Sequence, residues 1–107
     1  MKVYLAGKIT GDPDYKEKFA KYEEFERRRG NIVLNPAVLP EGMHIADYIR
    51  ICFAMIDAAD VVRLLPDWRF SFGAKLEKQY CDYIAKPTEL YPSKPEFIRG
   101  LTGVWDS

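Results

Sequence analysis

The sequence is short of the residues that build metal centres and disulfide frameworks: it has one histidine and two cysteines in 107 residues. A lone imidazole, His44, argues against a zinc site, which draws on three or four nitrogen and sulfur ligands, so no metal is expected. His44 reads instead as a solvent-facing residue near a helix start. Cys52 and Cys81 both fall among apolar neighbours in helical patterns, which suits reduced thiols better than disulfide staples. Charge of one sign is also missing. Sixteen basic residues balance sixteen acidic ones, leaving no overall field to favour nucleic acid or an anionic membrane surface. No apolar run is long enough to span a bilayer, and the first apolar segment, residues 3–6, is too short for a signal peptide. These absences point to a cytoplasmic protein. Repeats and low-complexity segments are absent too, and the 48% hydrophobic content suits one globular domain over residues 1–107.

What is present alternates between two periodicities. The apolar run in residues 2–6 reads as a buried first strand, ending at Gly7. Its exit loop, residues 7–11, resembles a phosphate-binding P-loop but lacks the upstream glycine and the Ser or Thr after the lysine, so that reading is rejected. Asp12 and Pro13 suggest an N-cap and first position for a helix carrying Tyr15, Phe19, Tyr22 and Phe25 on one face. Arg27, Arg28 and Arg29 complement its carbonyl end before Gly30. Residues 31–34 form a second strand, closed by the step from Asn35 to Pro36, and a loop runs to Gly42. Ile45, Tyr48, Ile49, Cys52, Phe53, Met55 and Ile56 outline a second helix. A third strand over 61–65, a third helix over 74–85, a fourth strand over 88–91 and a short helix over 95–101 complete the pattern.

Strands alternating with helices predict an α/β fold: a single-domain, flavodoxin-like or Rossmann-like parallel sheet of four to five strands with helices on both faces. In such sheets ligands bind beyond the carboxyl ends of the strands, so the loops 7–11, 35–42 and 66–73 should line one crevice. Tyr4, Asn35, Ser71 and Glu77 then gather near it. A carboxylate placed there can attack an electron-poor carbon such as the anomeric carbon of a sugar. A tyrosine can orient it, and a serine at a helix N-terminus can hold a phosphate or sugar hydroxyl. The same glutamate can also serve only to complement the helix dipole.

The pattern Tyr4-Leu5-Ala6-Gly7, then Asn35-Pro36, then Ala59-Asp60-Val61-Val62, then Ser71-x-Gly73-x-x-x-Glu77 resembles the nucleoside 2-deoxyribosyltransferase-like superfamily, over most of the chain up to Pro87. Its small bacterial and phage branch is the nearest in style, related to 2'-deoxynucleoside 5'-phosphate N-hydrolases. What the resemblance implies is N-glycosidic bond cleavage or transfer on a nucleoside or nucleotide, without a cofactor. Glu77 would be the nucleophile that forms a covalent glycosyl-enzyme intermediate, and Tyr4 its partner beside the sugar. Gly7, Asn35, Pro36, Tyr48, Cys52, Ser71 and Gly73 would line the substrate site. Serine at 71, where the base-exchanging transferases tend to have aspartate, tilts the reading towards phosphate-bearing substrates. The resemblance also implies a homodimer or higher homo-oligomer whose neighbour completes the pocket.

Two departures stand out. Where the family usually has an aspartate that protonates the leaving base or engages the sugar, this chain has Cys52, a poor proton donor. Tyr48, one turn earlier, is the candidate substitute, because Asp47 and Asp57 lie five residues away and point elsewhere by about 140°. Gln79 replaces a glycine two residues after Glu77, so Lys78 and Gln79 are expected to crowd the sugar. A degenerate nucleotide-binding protein without turnover is therefore the alternative. An interaction domain is the third reading, with Trp68, Phe70 and Trp105 as exposed partner contacts.

Overall fold

Val3, Tyr4, Leu5 and Ala6 are all fully buried, because the strand that carries them is central and covered on both faces. A computed structural model, which describes residues 1–92, places this strand, β1 (Lys2–Ala6), between β2 (Ile32–Leu34) and β3 (Val61–Leu64), with β4 (Thr88–Leu90) beyond β3. All pairings are parallel, and the order β2-β1-β3-β4 is that of a flavodoxin-like sheet. Three helices cross between the strands: α1 (Tyr15–Arg28), α2 (Ile45–Ala58) and α3 (Phe72–Ile84). Side chains of β1 alternate between two cores. Val3 and Leu5 meet Phe19 and Tyr22 of α1, whereas Tyr4 and Ala6 meet Cys52 and Ile56 of α2 and Cys81 of α3. The chain is thus α/β with helices on both faces, as the alternating pattern predicts.

Most boundaries fall within two residues of expectation; the start of α1 differs for a chemical reason. Asp12 does not cap the helix. Its Oδ1 accepts from the Asp14 amide at 2.9 Å and its Oδ2 from Lys18 Nζ at 2.5 Å, so helical geometry begins at Tyr15. The other end follows the expected pattern: Gly30, at φ +85°, sends its amide to the Arg27 carbonyl while the Asn31 amide reaches Glu26. His44 is exposed, and its Nδ1 also caps α2 by accepting from the Ala46 amide at 3.2 Å. Single 3₁₀ turns at Pro36–Val38 and Trp68–Phe70 were not foreseen. The helix expected over 95–101 lies outside the described residues. Cys52 and Cys81 are buried free thiols, and among the described residues no helix is long and apolar enough to cross a membrane.

The α1 face is tied by a polar network that periodicity does not reveal. Glu26, almost fully buried, accepts from the Tyr91 hydroxyl and from Asn31 Nδ2 at 2.8 Å, and pairs with Arg63 Nε of β3 at 3.2 Å. Arg63 also bonds Glu89 of β4 at 3.0 Å, so one guanidinium links α1 to two strands. Such a group is affordable in the interior only because its charges are paired.

At the sheet's carboxyl end, Gly7 leaves β1 against the end of β3. A side-chain carbon there would meet Leu65 Cβ at 2.9 Å and Asp67 Oδ1 at 3.2 Å. Gly7→Ala is therefore expected to lower unfolding free energy by about 1–3 kcal/mol in a urea titration, through overpacking that the Leu65 backbone cannot relieve.

Candidate functional site

The strand order reverses between β1 and β3, and the crevice of such a sheet opens beyond the ends of those strands. A cleft of about 820 Å³ lies there, within the size range of small-molecule sites. Its walls come from the loop after β1 (Gly7, Lys8, Ile9, Thr10), the segment after β2 (Pro36, Ala37, Leu39), one face of α2 (Tyr48, Ile49, Cys52) and the start of α3. Eight of the nine residues singled out from the sequence line this one cavity: Tyr4, Gly7, Pro36, Tyr48, Cys52, Ser71, Gly73 and Glu77.

Its chemical centre is a pair contributed by β1 and α3. The Tyr4 hydroxyl donates to Glu77 Oε2 at 2.5 Å, across 73 residues of chain. Tyr4 is fully buried, and both burial and the neighbouring Glu77 carboxylate hold its phenol in the protonated form, well above the usual range. Burial pushes the Glu77 carboxyl up to about 7, against the pull of hydrogen bonds from Tyr4 and Cys52 that favour its anion. The Cys52 thiol interacts with both groups, and burial drives it up to about 11, so it is a neutral thiol at physiological pH. A carboxyl titrating near neutrality beside a locked phenol can act as nucleophile or as general acid–base, and such perturbed groups concentrate at functional sites.

Six residues before Glu77, Ser71 caps α3. Its Oγ accepts from the Ala74 amide at 3.1 Å, which leaves its own proton for a ligand. The first amides of a helix have no acceptor within it, so those of Phe72 and Gly73 are also suited to an anion or a hydroxyl oxygen. Lys8 and Thr10 line the same cleft from the β1 loop; the sequence pattern points to that loop but not to these two side chains.

Asn35 does not enter the cleft. It is buried, its Oδ1 accepts from the Ala37 amide at 2.8 Å and its Nδ2 donates to Glu23 at 3.0 Å, so it shapes the 3₁₀ turn and lines a separate groove beside α1. Its substrate-binding assignment gives way to a structural one, because both ends of the amide are spent on the fold. Tyr48 lines the cleft, but its hydroxyl donates to the Pro40 carbonyl at 2.5 Å and accepts from the Met43 amide at 3.2 Å. With its proton committed, it is not placed to replace the missing acid. Lys78 and Gln79 lie outside the cleft lining, Lys78 pairing with Asp82 at 2.5 Å, so the expected crowding of a sugar does not arise. Asp47 and Asp57 point away as anticipated, towards Arg50 and Tyr80. Trp68 packs against the core, whereas Phe70 and Phe72 stand exposed at the cleft mouth, 77% and 90% accessible; Trp105 lies outside the described residues. Among the described residues, no cluster of His, Cys, Asp and Glu could hold a metal ion.

Residues 1–89 match the family described as Domain of unknown function (DUF4406), and the chain belongs to that family. No curated protein matches the chain.

The raised Glu77 carboxyl has a thermodynamic signature. Its folded value, about 7, exceeds its ordinary value of 4.5, so the folded state holds the proton more tightly and stability falls as pH rises from 4.5 to 7. Glu77→Gln removes that penalty while retaining an oxygen for Tyr4. The variant should be more stable than the parent by about 1–3 kcal/mol at pH 8 and nearly equal to it at pH 5, measured by denaturant titration at both.

Proposed function

We propose that this member of the family cleaves or transfers the N-glycosidic bond of a 2'-deoxynucleotide, with Glu77 as nucleophile. The observation that carries the reading is the Tyr4–Glu77 hydrogen bond of 2.5 Å in a cleft that Ser71 and the start of α3 also line. The resemblance of the Tyr4, Asn35-Pro36, Asp60 and Ser71-x-Gly73-x-x-x-Glu77 pattern to nucleoside 2-deoxyribosyltransferase-like enzymes supplies the reaction class.

In this reading the ionised Glu77 carboxylate forms a bond to C1' as the C1'–N bond breaks, and the electron pair leaves with the base. Tyr4 holds one carboxylate oxygen and so fixes the direction of attack. Water, or a second base, then displaces the sugar from Glu77 and restores the carboxylate. Ser71 and the neighbouring amides hold the 5'-phosphate or a sugar hydroxyl, and the serine adds no charge that would repel a phosphate. The exposed apolar rim of Ile45, Phe70 and Phe72 supports an assembly in which a second copy of the chain covers the mouth. The composition fits a cytoplasmic setting.

The weak point of the catalytic set is the leaving group. With the Cys52 thiol held up to about 11, it can hydrogen-bond a base but transfers a proton poorly. That observation favours a second reading, a nucleotide-binding relative without turnover.

Incubation with 2'-deoxynucleoside 5'-monophosphates and the matching nucleosides, with free base followed by chromatography, separates the two: binding without base release would leave only the second. If base is released, Glu77→Gln should lower kcat at least about a thousandfold while leaving ligand affinity within a few fold. Nucleophilic attack needs the anion, so kcat/KM should rise with pH to a plateau above about 7. Tyr4→Phe removes a donor to that anion and should move the midpoint upwards. Cys52→Asp should raise turnover about tenfold or more, because a carboxyl pair beside Glu77 shares a proton that can be given to the base. An unchanged rate would show that base protonation does not limit turnover.

A further inference from the structure

The cleft is bounded by two loops that belong to different parts of the chain, and a single ammonium outside the cleft lining joins them. Lys18, near the start of α1, donates to the Lys8 carbonyl at 2.7 Å, to Asp12 Oδ2 at 2.5 Å and to Asp67 Oδ2 at 2.5 Å. These contacts use all three of its N–H donors. The other oxygen of Asp67 accepts the Lys8 amide at 3.1 Å, so the Lys8 residue is gripped at both its N–H and its carbonyl. Gly7 lies under this grip, in the space where a side-chain carbon would be 3.2 Å from Asp67 Oδ1. The gripped backbone carries Lys8, Ile9 and Thr10, which line the cleft. On the other side, Asp67 starts the turn Trp68–Phe70 that delivers Ser71 to the head of α3. All three charged side chains are largely withdrawn from solvent, at 23%, 23% and 30% accessibility for Lys18, Asp12 and Asp67. Screening is therefore weaker than for a surface pair. Without the ammonium, two carboxylates would face each other across the loops and repel.

We propose that Lys18 is a positioning residue that fixes the spacing between the Lys8 loop and the Ser71 loop, and thereby sets affinity for the ligand without touching it. The inference rests on the cleft being the ligand site proposed above. It predicts a separation of effects: loss of Lys18 relaxes the two loops and weakens binding, but leaves the Tyr4–Glu77 pair, held by β1 and the body of α3, unchanged.

Two measurements on the full chain test it. In the ligand-free protein, amide hydrogen exchange of segments 7–11 and 66–71 should accelerate about tenfold or more in Lys18→Met, while β1 and β3 keep their protection. Lys18→Arg, which can still bridge the carboxylates, should restore most of it. With 2'-deoxynucleoside 5'-monophosphates as probes, Lys18→Met should raise KM or Kd about tenfold or more and leave the pH midpoint of kcat where Glu77 sets it. Unchanged exchange in both loops, or a shifted kcat midpoint with unchanged KM, would overturn the proposal. If Lys18→Met also loses protection in β1 and β3, Asp67→Asn decides the matter, since it keeps the ammonium and Asp12. It should still loosen segment 7–11, and unaltered exchange there would refute the clamp. If no protein releases base from any probe, the glycosidase reading fails while the exchange data still decide the clamp.

Discussion

The hydrogen bond between Tyr4 and Glu77 is the contact around which the cleft is arranged. It joins the central strand to α3, so it forms only when β1 is buried between β2 and β3 and α3 has returned across the sheet beyond β3. Tyr4 is reached by strand alternation: its neighbours Val3 and Leu5 face α1, and it faces the other way, between α2 and α3. Burial raises the carboxyl, and the phenol and thiol partly offset that rise by bonding its anion. The outcome is a group balanced between its two protonation states at neutral pH, which neither burial alone nor hydrogen bonding alone would produce.

The two faces of the sheet divide the work. On the α1 face, Glu26, Arg63, Tyr91 and Asn31 form a polar set that ties the helix to β3, β4 and the segment after β4. The opposite face carries Cys52, Tyr4 and Glu77, where polar atoms stand at the edge of an apolar core and meet the cleft. The Lys18 cluster lies at the carboxyl end of the sheet and joins α1 to two of the loops that bound the cleft.

The fold was legible because its elements announce themselves locally. Apolar runs of strand length alternate with helical stripes, and the glycine after Arg29 marks a stop. Cleft-lining residues fixed by strand ends and helix starts were legible for the same reason: Tyr4, Gly7, Ser71 and Glu77 are where the topology requires them. What escaped depended on contacts between distant side chains. Asp12 read as a helix cap because local rules favour it there, and its capture by Lys18 involves a partner six residues on and a second carboxylate 49 residues beyond Lys18. Asn35 read as a cleft residue because it follows β2; Glu23, reached across 12 residues, claims its amide. Tyr48 was placed on the correct face, yet its hydroxyl had a nearer acceptor in the Pro40 carbonyl.

The turn Trp68–Phe70 acts as a ruler. Asp67 at one end is fixed by Lys18 and the Lys8 amide, and Ser71 at the other fixes the first turn of α3, with the Phe70 amide closing the interval onto the Asp67 carbonyl at 2.9 Å. Adding or deleting one residue here would displace the start of α3 relative to the sheet and carry Glu77 away from Tyr4. Gly42, exposed at φ +86° with open space around its α-carbon, sits in a turn whose two sides, the Pro40 carbonyl and the Met43 amide, are both held by the Tyr48 hydroxyl. Chain-length variation among relatives of this protein should therefore be absent between 67 and 71.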